Sequence, residues 1–261
     1  MLLGKTLKRI VISLLFLFIP SICLAHFGTI MSQRTMLDQA HRKTRLLFAF
    51  IHPFEQNGMN LTLDQVWAVN LTTSDKENLL SKLRPIKFLD HRAYRTIFRP
   101  KRPGVYCIYM VPKPYWEPAE DKFIKHITKT YIGAFGEEEG WAKPLGLEVE
   151  VVPITRPFGL YAGNVFQGKV LKNGKPVPNC EVEVEYYNKN SRLKAPSEYM
   201  ITQVILTDDN GVFTYAAPIP GWWGFSALTT ADYKLKQNGV DKDVEVGGVI
   251  WVKFSPFKKN R

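Results

Sequence analysis

The stretch at residues 164–188, "NVFQGKVLKNGKPVPNCEVEVEYYN", decides the fold prediction because it is typical of a strand, a turn and a second strand. Asn173 and Gly174 form a dipeptide that strongly favours a tight two-residue turn between antiparallel strands. From Glu181 to Tyr186, glutamate alternates with valine or tyrosine, which predicts one wet face and one buried face. The stretch therefore predicts a sheet that covers a hydrophobic core on one side.

The rest of the chain shows similar short apolar or alternating runs, separated by turn residues. These runs are "TRLLFAFIHPF" (44–54), "GVYCIYMVP" (104–112), "KFIKHITKTYIGAF" (122–135), "LEVEVVPI" (147–154) and "VIWVKF" (249–254). The segment "VILTDDNGVFTYAAP" (204–218) predicts a further hairpin that turns at Asn210 and Gly211. The segment "TTSDKENLLSKLR" (72–84) predicts one short helix.

Pro153 and Pro157 interrupt this pattern in "PITRPFGLYAGN" (153–164), and a new series of strands begins after Gly163. We therefore predict an all-β fold with two β-sandwich domains in tandem, after a cleaved signal peptide at residues 1–25. The first sandwich, residues 26–155, is the candidate metal-binding domain. The second covers residues 156–261.

The N-terminal segment has the pattern of a secretory signal peptide. Lys5, Lys8 and Arg9 form a basic head, an apolar run follows at residues 10–19, and small residues precede the bond between Ala25 and His26. Cleavage at that bond predicts a periplasmic protein whose first residue is histidine. Lipid attachment at Cys23 is the alternative, but Ile22 is bulky for that processing.

Charge and cysteine content exclude few functions. Removal of residues 1–25 lowers the net charge from +11 to +8, and the basic residues are scattered among acidic ones. We expect a soluble surface, since export argues against a nucleic-acid partner and no later stretch is apolar for long enough to span a membrane. Cys107 and Cys180 are predicted to be buried free thiols rather than a disulfide, and no CxxC zinc motif is present.

The histidines carry the functional prediction. The five are His26, His41, His52, His91 and His126. At the start of a mature chain, His26 offers an imidazole and an α-amino group to one metal ion, and such nitrogen donors suit nickel, copper and zinc. In strand phase, His52 and His126 lie on partly apolar faces, where each is either a ligand or a hydrogen-bonded core histidine.

We predict that His26, His52 and His126 meet around one metal ion, with His91 as a reserve ligand and His41 at the surface. Nickel or cobalt is the expected ion, with copper or zinc as alternatives. Glu117, Glu120 and Asp121 lie in "PYWEPAEDKF" (114–123), where a carboxylate would complete the coordination or orient a ligand histidine. The alternative is a solvated acidic loop.

Two resemblances extend this prediction. The segments "GKVLKNGKPVPNCEVEV" and "TDDNGVFTYAAPIPGWWGF" resemble transthyretin-like or carboxypeptidase-regulatory-like β-sandwiches. The segments "AHFG", "HPFEQNGM", "KRPGVYCIYMVPKPYWEPAEDKFIKHITKTYI", "RPFGLYAGNVFQGKVL" and "GWWGFSALTTADY" resemble a bacterial exported family, a domain of unknown function described as the periplasmic component of cobalt or nickel transport systems. That resemblance implies a pair of β-sandwiches, a metal-uptake context and a histidine at positions 26, 52, 91 and 126.

Three functions remain open at this stage. The first is a binding protein that delivers a metal ion to components of a membrane transporter. The second is a copper-dependent oxidative enzyme that uses an N-terminal histidine, and the third is a metal-free structural or interaction module. No nucleophile elbow, phosphate loop or paired-carboxylate signature occurs, which favours binding over catalysis. We expect no nucleic-acid partner and no stable membrane insertion after cleavage.

Overall fold

The computed structural model describes residues 26–257, and these form mostly β-strands. The predicted signal peptide at residues 1–25, with Cys23, and residues 258–261 lie outside the described part. Strands β1 to β11 are Phe27–Ser32, Met36–Leu37, Thr44–His52, Asn57–Met59, Leu63–Asn70, Lys76–Asn78, Arg84–Phe88, His91–Phe98, Gly104–Pro112, Tyr115–Glu117 and Lys122–Ala134. Strands β12 to β22 are Val149–Pro153, Leu160–Tyr161, Val165–Lys172, Lys175–Pro176, Glu181–Tyr186, Thr202–Leu206, Val212–Ala216, Gly221–Thr230, Leu235–Gln237, Val240–Lys242 and Val244–Ser255. Short 3-10 helices within residues 26–257 are Leu80–Lys82, Lys189–Ser191 and Glu198–Met200.

One large sheet contains strands from both halves of the chain. Its order is β17-β16-β19-β22-β11-β9-β5-β6, with β2 and β10 also paired to β11 and β13 to β22. At its centre β11 and β22 run parallel, with Phe123 opposite Val244 and His126 opposite Gly247. This parallel pair joins segments that are far apart in sequence.

Two smaller sheets cover the two faces of the large one. One consists of β1, β3, β4, β7 and β8, and the other of β12, β14, β15 and β18. Along β9, Ile108 and Met110 pack into the core shared with the first, while Val105 and Cys107 pack into the core shared with the second. The predicted all-β fold with β-sandwich layers is confirmed, and the two sandwiches share the large sheet. The division at residues 155 and 156 stays a prediction.

Of the two predicted hairpins, one forms only as a short hairpin and the other is wrong. Lys172 lies opposite Lys175 in the β14–β15 pair, so the chain reverses at Asn173 and Gly174 as predicted, but β15 has two residues and the longer β16 pairs with β17 and β19. After Asn210 and Gly211, however, β18 pairs with β14 in the four-stranded sheet, whereas β17 pairs with β16 in the large sheet. A turn dipeptide specifies a chain reversal but not the partner of each strand, and here the reversal carries the chain between layers.

The wet face predicted for β16 is exposed only in part. Glu181 is exposed, but Glu183 is 8% exposed and Glu185 is fully buried. The connection that follows β3 covers this face, and the Phe54 N–H donates a hydrogen bond to Glu185 Oε2 at 3.2 Å. The alternation of residue types therefore gave the correct side-chain directions, but it could not show that a second layer covers the polar side.

Three smaller predictions also have an outcome. The short helix expected within residues 72–84 is the single 3-10 turn Leu80–Lys82. Cys107 and Cys180 are buried free thiols, as expected. Among residues 26–257, no helix has the length and apolar character needed to cross a bilayer.

Candidate metal centre

His26 and His52 face each other because β1 and β3 pair antiparallel. Phe27 lies opposite Ile51 in this pairing, so His26 and His52, one step further along, also come together. Their ring centroids are 4.6 Å apart, with an angle of 54° between the ring planes. Both residues are buried, at 9% and 5% exposure. The strand register thus brings two of the predicted ligands together in a largely dry environment.

His126 joins this cluster from β11 in the neighbouring layer. Its Nδ1 accepts a hydrogen bond from the Gly28 N–H at 3.4 Å, and its Nε2 lies 3.4 Å from Glu245 Oε1. Because Nδ1 is the acceptor, a neutral ring carries its proton on Nε2 and donates it toward Glu245. The Phe50 ring packs against His26 and His126, with centroid distances of 5.6 Å and 5.8 Å. Three of the four predicted ligands therefore lie in one cluster.

Two glycines leave the space that this cluster occupies. A Cβ atom at Gly247 would lie 2.6 Å from His126 Cδ2. A Cβ atom at Gly28 would lie 2.2 Å from Thr128 Oγ1 and 2.9 Å from His126 Cβ. Protein interiors are close-packed, so neither contact can form without displacing a strand or the ring. Gly28 thus lets β1 lie directly on β11, and Gly247 on β22 leaves room for the His126 ring.

Two glutamates hold the His26 ring. Glu117 Oε2 lies 3.0 Å from His26 Nε2, and Glu120 Oε1 lies 3.8 Å from His26 Nδ1. Both come from the segment in which we expected a carboxylate to complete or orient the site. A carboxylate that contacts a ligand histidine fixes the ring orientation and the tautomer.

Glu245 is a functional candidate that the sequence did not single out. Burial alone would raise its pKa, but hydrogen bonds from His126 and Lys122 outweigh burial and bring the pKa down to about 2. Glu245 is therefore ionised at neutral pH and anchors His126. Its position depends on the pairing of β22 with β11, and no local sequence pattern encodes that pairing.

Burial, together with the neighbouring His52 and His126, lowers the pKa of His26 to about 3. The Glu245 carboxylate favours the charged ring, but burial and the two imidazoles outweigh it. His26 is consequently neutral at pH 7, which is the form of imidazole that binds a metal ion.

The remaining candidates lie outside the cluster. His91 follows the tight turn between β7 and β8, where its Nδ1 lies 2.7 Å from the Leu89 carbonyl oxygen. His41 is exposed, in agreement with the prediction that it is a surface residue. Asp121 pairs with Lys242 at 2.6 Å rather than with a histidine.

An acidic cavity of about 440 Å³ opens beside His26. Its charged lining consists of Glu120, Lys122, Glu181, Glu183, Asp243 and Glu245. Burial, together with the nearby Glu245 and Glu181 carboxylates, raises the pKa of Glu183 to about 8. The cavity was missed at the level of sequence because its residues come from separate segments.

The imidazole and carboxylate groups of this cluster are chemically suitable ligands for a transition metal. In the structure, however, these side chains form hydrogen bonds with one another and with the backbone. Neutral imidazoles beside carboxylates are donors that nickel, cobalt, copper and zinc accept. Across residues 26–257, no three histidine, cysteine or carboxylate side chains already converge on one point that fits a metal ion. His26 would bind the ion through Nδ1 together with a terminal amine, so the ion would replace the Glu120 contact while Nε2 keeps Glu117.

Glu183→Gln is expected to stabilise the protein, and to do so more at pH 9 than at pH 5. The folded carboxyl has a pKa of about 8, well above the value of an unfolded glutamate, so the folded state retains a proton that the unfolded chain releases. Glu183 therefore costs stability progressively as pH rises from about 4.5 to 8, reaching a few kcal/mol above that range. Urea melts at both pH values measure the gain.

The control for this experiment is Glu139→Gln, which makes the same change at an exposed loop position. It should shift neither melt appreciably. Equal gains from Glu183→Gln at pH 5 and pH 9 would contradict the burial argument.

Comparisons with known proteins give a family and no activity. A family model described as a domain of unknown function (DUF4198) matches residues 23–231. No curated protein matches the chain. Similar solved structures include the D0-D1 domain of intimin, with 14% identity, 86% of this chain and 99% of that chain covered, and a TM-score of 0.25. The fibronectin(III)-like modules of Clostridium thermocellum CbhA are similar at 10% identity, with 90% and 98% covered and a TM-score of 0.23. Scores this low support no argument about function.

Proposed function

The chain belongs to the DUF4198 family, a domain of unknown function, and we propose that it binds a divalent transition metal ion, nickel or cobalt first, through His26, His52 and His126. The observation that carries this proposal is the buried His26–His52 pair, with ring centroids 4.6 Å apart. Neutral imidazoles in a dry environment bind such ions with little competition from water.

The proposal also includes cleavage between Ala25 and His26. Cleavage would add a terminal amine to the His26 ring. The pKa of an α-amino group is about 7.7–8.0, so the loss of its proton on metal binding costs little near neutral pH. The amine and three imidazoles would give four nitrogen donors, which suits nickel or copper.

The three histidines have different tasks in this proposal. His26 and His52 are the first ligands, because burial keeps the His26 ring neutral and the strand register fixes both positions. His126 currently directs its Nε2 proton toward Glu245. To donate to a metal through Nε2, it must release the Gly28 hydrogen bond and carry its proton on Nδ1 instead. His91 stays a reserve ligand.

The biological role that we propose is capture of the ion in the periplasm and its transfer to components of a membrane transporter. Support for this role comes from the signal-peptide pattern and from the resemblance to exported proteins described in cobalt or nickel uptake. The acidic cavity beside His26 supports it as well, because a negative cleft attracts cations and raises their association rate.

Thermal denaturation of the mature chain with nickel, cobalt, copper, zinc and, as control, magnesium tests the proposal. A ligand that binds only the folded state stabilises it by about 2.7 kcal/mol at a hundredfold excess over its Kd. We expect a concentration-dependent rise in Tm with nickel or cobalt and none with magnesium. No shift with any transition metal would favour a metal-free module, and copper-dependent oxidase activity with a reductant would favour the enzyme.

A further inference from the structure

The acidic cavity contains two glutamates that form no ion pair with a lysine of residues 26–257. Lys122 pairs with Glu120 and Glu245 at 2.6 Å each, and Asp243 pairs with Lys234. Glu181 and Glu183, in contrast, make neither an ion pair nor a side-chain hydrogen bond with any described residue.

Glu183 is the more informative of the two. It is 8% exposed and lines the cavity, so its carboxylate is nearly buried and directed into an open space. A buried polar group without a partner costs free energy, and such groups in native proteins call for an explanation. A cationic ligand in the cavity would provide the missing partner.

The spacing of the carboxylates favours an extended cation over a single ion. Glu181 and Glu183 are two residues apart on β16, so their Cα atoms are about 6.7 Å apart on the same face. Glu245 lies on β22, two strands away, at a lateral distance of about 10 Å. A metal ion needs its oxygen ligands within about 2.6 Å of one point. Across residues 26–257, no such convergence of three side chains occurs.

The floor of the cavity also contains an apolar residue. Val182 lies opposite Ala227 in the β16–β19 pair, so Leu228 on β19 lies beside Glu181. Methylene groups of a long amine pack on such a surface while the charged ends stay on carboxylates, as lysine side chains do. Two ammonium groups joined by three or four methylenes span about 5–6 Å from ordinary bond lengths, which is close to the Cα spacing of Glu181 and Glu183.

We propose that the acidic cavity binds a linear organic oligoamine, with ammonium groups on Glu183 and Glu181 and its methylene chain against Leu228. His26 also lines this cavity, but the ammonium positions lie on β16, and the proposal does not rest on the proposed metal binding. Recognition is by charge and spacing, so affinity should increase with the number of ammonium groups.

Calorimetric titration of the mature chain with spermidine, a linear triamine, tests this proposal. We expect binding with a stoichiometry of one, weaker binding of a four-carbon diamine, and none of butylamine. Glu183→Gln should weaken spermidine binding about tenfold or more, the usual effect of losing a hydrogen bond to a charged group. Glu139→Gln, the same change outside the cavity, should alter the affinity less than twofold.

Glu181→Gln provides a second test. Because Glu181 is exposed, we expect the substitution to leave folding unchanged and to weaken spermidine binding. The proposal is overturned if spermidine gives no binding heat at millimolar concentration, or if both cavity variants bind it as tightly as the unaltered chain. It is also overturned if calcium or manganese binds and spermidine does not, with that binding lost in Glu183→Gln. The cavity would then be an inorganic cation site.

Discussion

His26→Ala is expected to weaken nickel binding by more than about 100-fold, because loss of an outer partner of a ligand alone costs 10- to 100-fold. The substitution keeps a terminal amine but removes the ring that lies 4.6 Å from His52 and contacts Glu117. It also leaves the Glu117 carboxylate without its buried partner. Calorimetry with nickel measures the loss.

His41→Ala is the matched control, since it removes an exposed histidine outside the cluster. It should leave the nickel Kd within about twofold. If His26→Ala binds nickel as tightly as this control, His26 is not a ligand. A circular dichroism melt of both variants separates lost binding from lost folding.

Gly28→Ala is expected to destabilise the fold by about 3 kcal/mol, at the upper end of overpacking effects. The new methyl group would lie 2.2 Å from Thr128 Oγ1 and 2.9 Å from His126 Cβ, so β1 must move away from β11. For a chain of this size, such a loss lowers Tm by roughly 6–12 °C. Metal binding should weaken as well, because β1 positions His26.

Ser32→Ala provides the control within the same strand. The Ser32 hydroxyl is buried without a hydrogen-bond partner among the described residues, so its removal should leave Tm unchanged or slightly higher. A Gly28→Ala variant with the Tm of the unaltered chain would show that β1 is not held against β11 as described.

Local patterns predicted most strands, but not the pairing between distant ones. Asn173 and Gly174 specify a hairpin whose two strands are adjacent in sequence, and that hairpin forms. The parallel pairing of β11 with β22 depends on the packing of whole layers. For the same reason the alternation in β16 showed which side chains share a face, but not that another layer buries Glu183 and Glu185.

The candidate site could be predicted only for residues whose type and local sequence position point to metal binding. A histidine after a signal-peptide pattern is unusual enough to single out His26, and strand phase singled out His52 and His126. Glu245 and Gly247 could not be found, because their importance comes only from contact with His126 across the β11–β22 pair. His91 is also a histidine, but it follows the β7–β8 turn and lies outside the cluster.

We propose that His26 binds a metal ion as the first residue of the mature chain, with both its ring and its α-amino group. Nickel is titrated calorimetrically into the chain that begins at His26 and into the same chain with one alanine added before it. The extension keeps all three imidazoles but displaces the terminal amine. We predict that the native chain binds nickel with a stoichiometry of one and that the extension weakens binding by about tenfold or more, within the range for losing a charged-group interaction. Equal affinity of the two chains would show that the terminal amine is not a ligand.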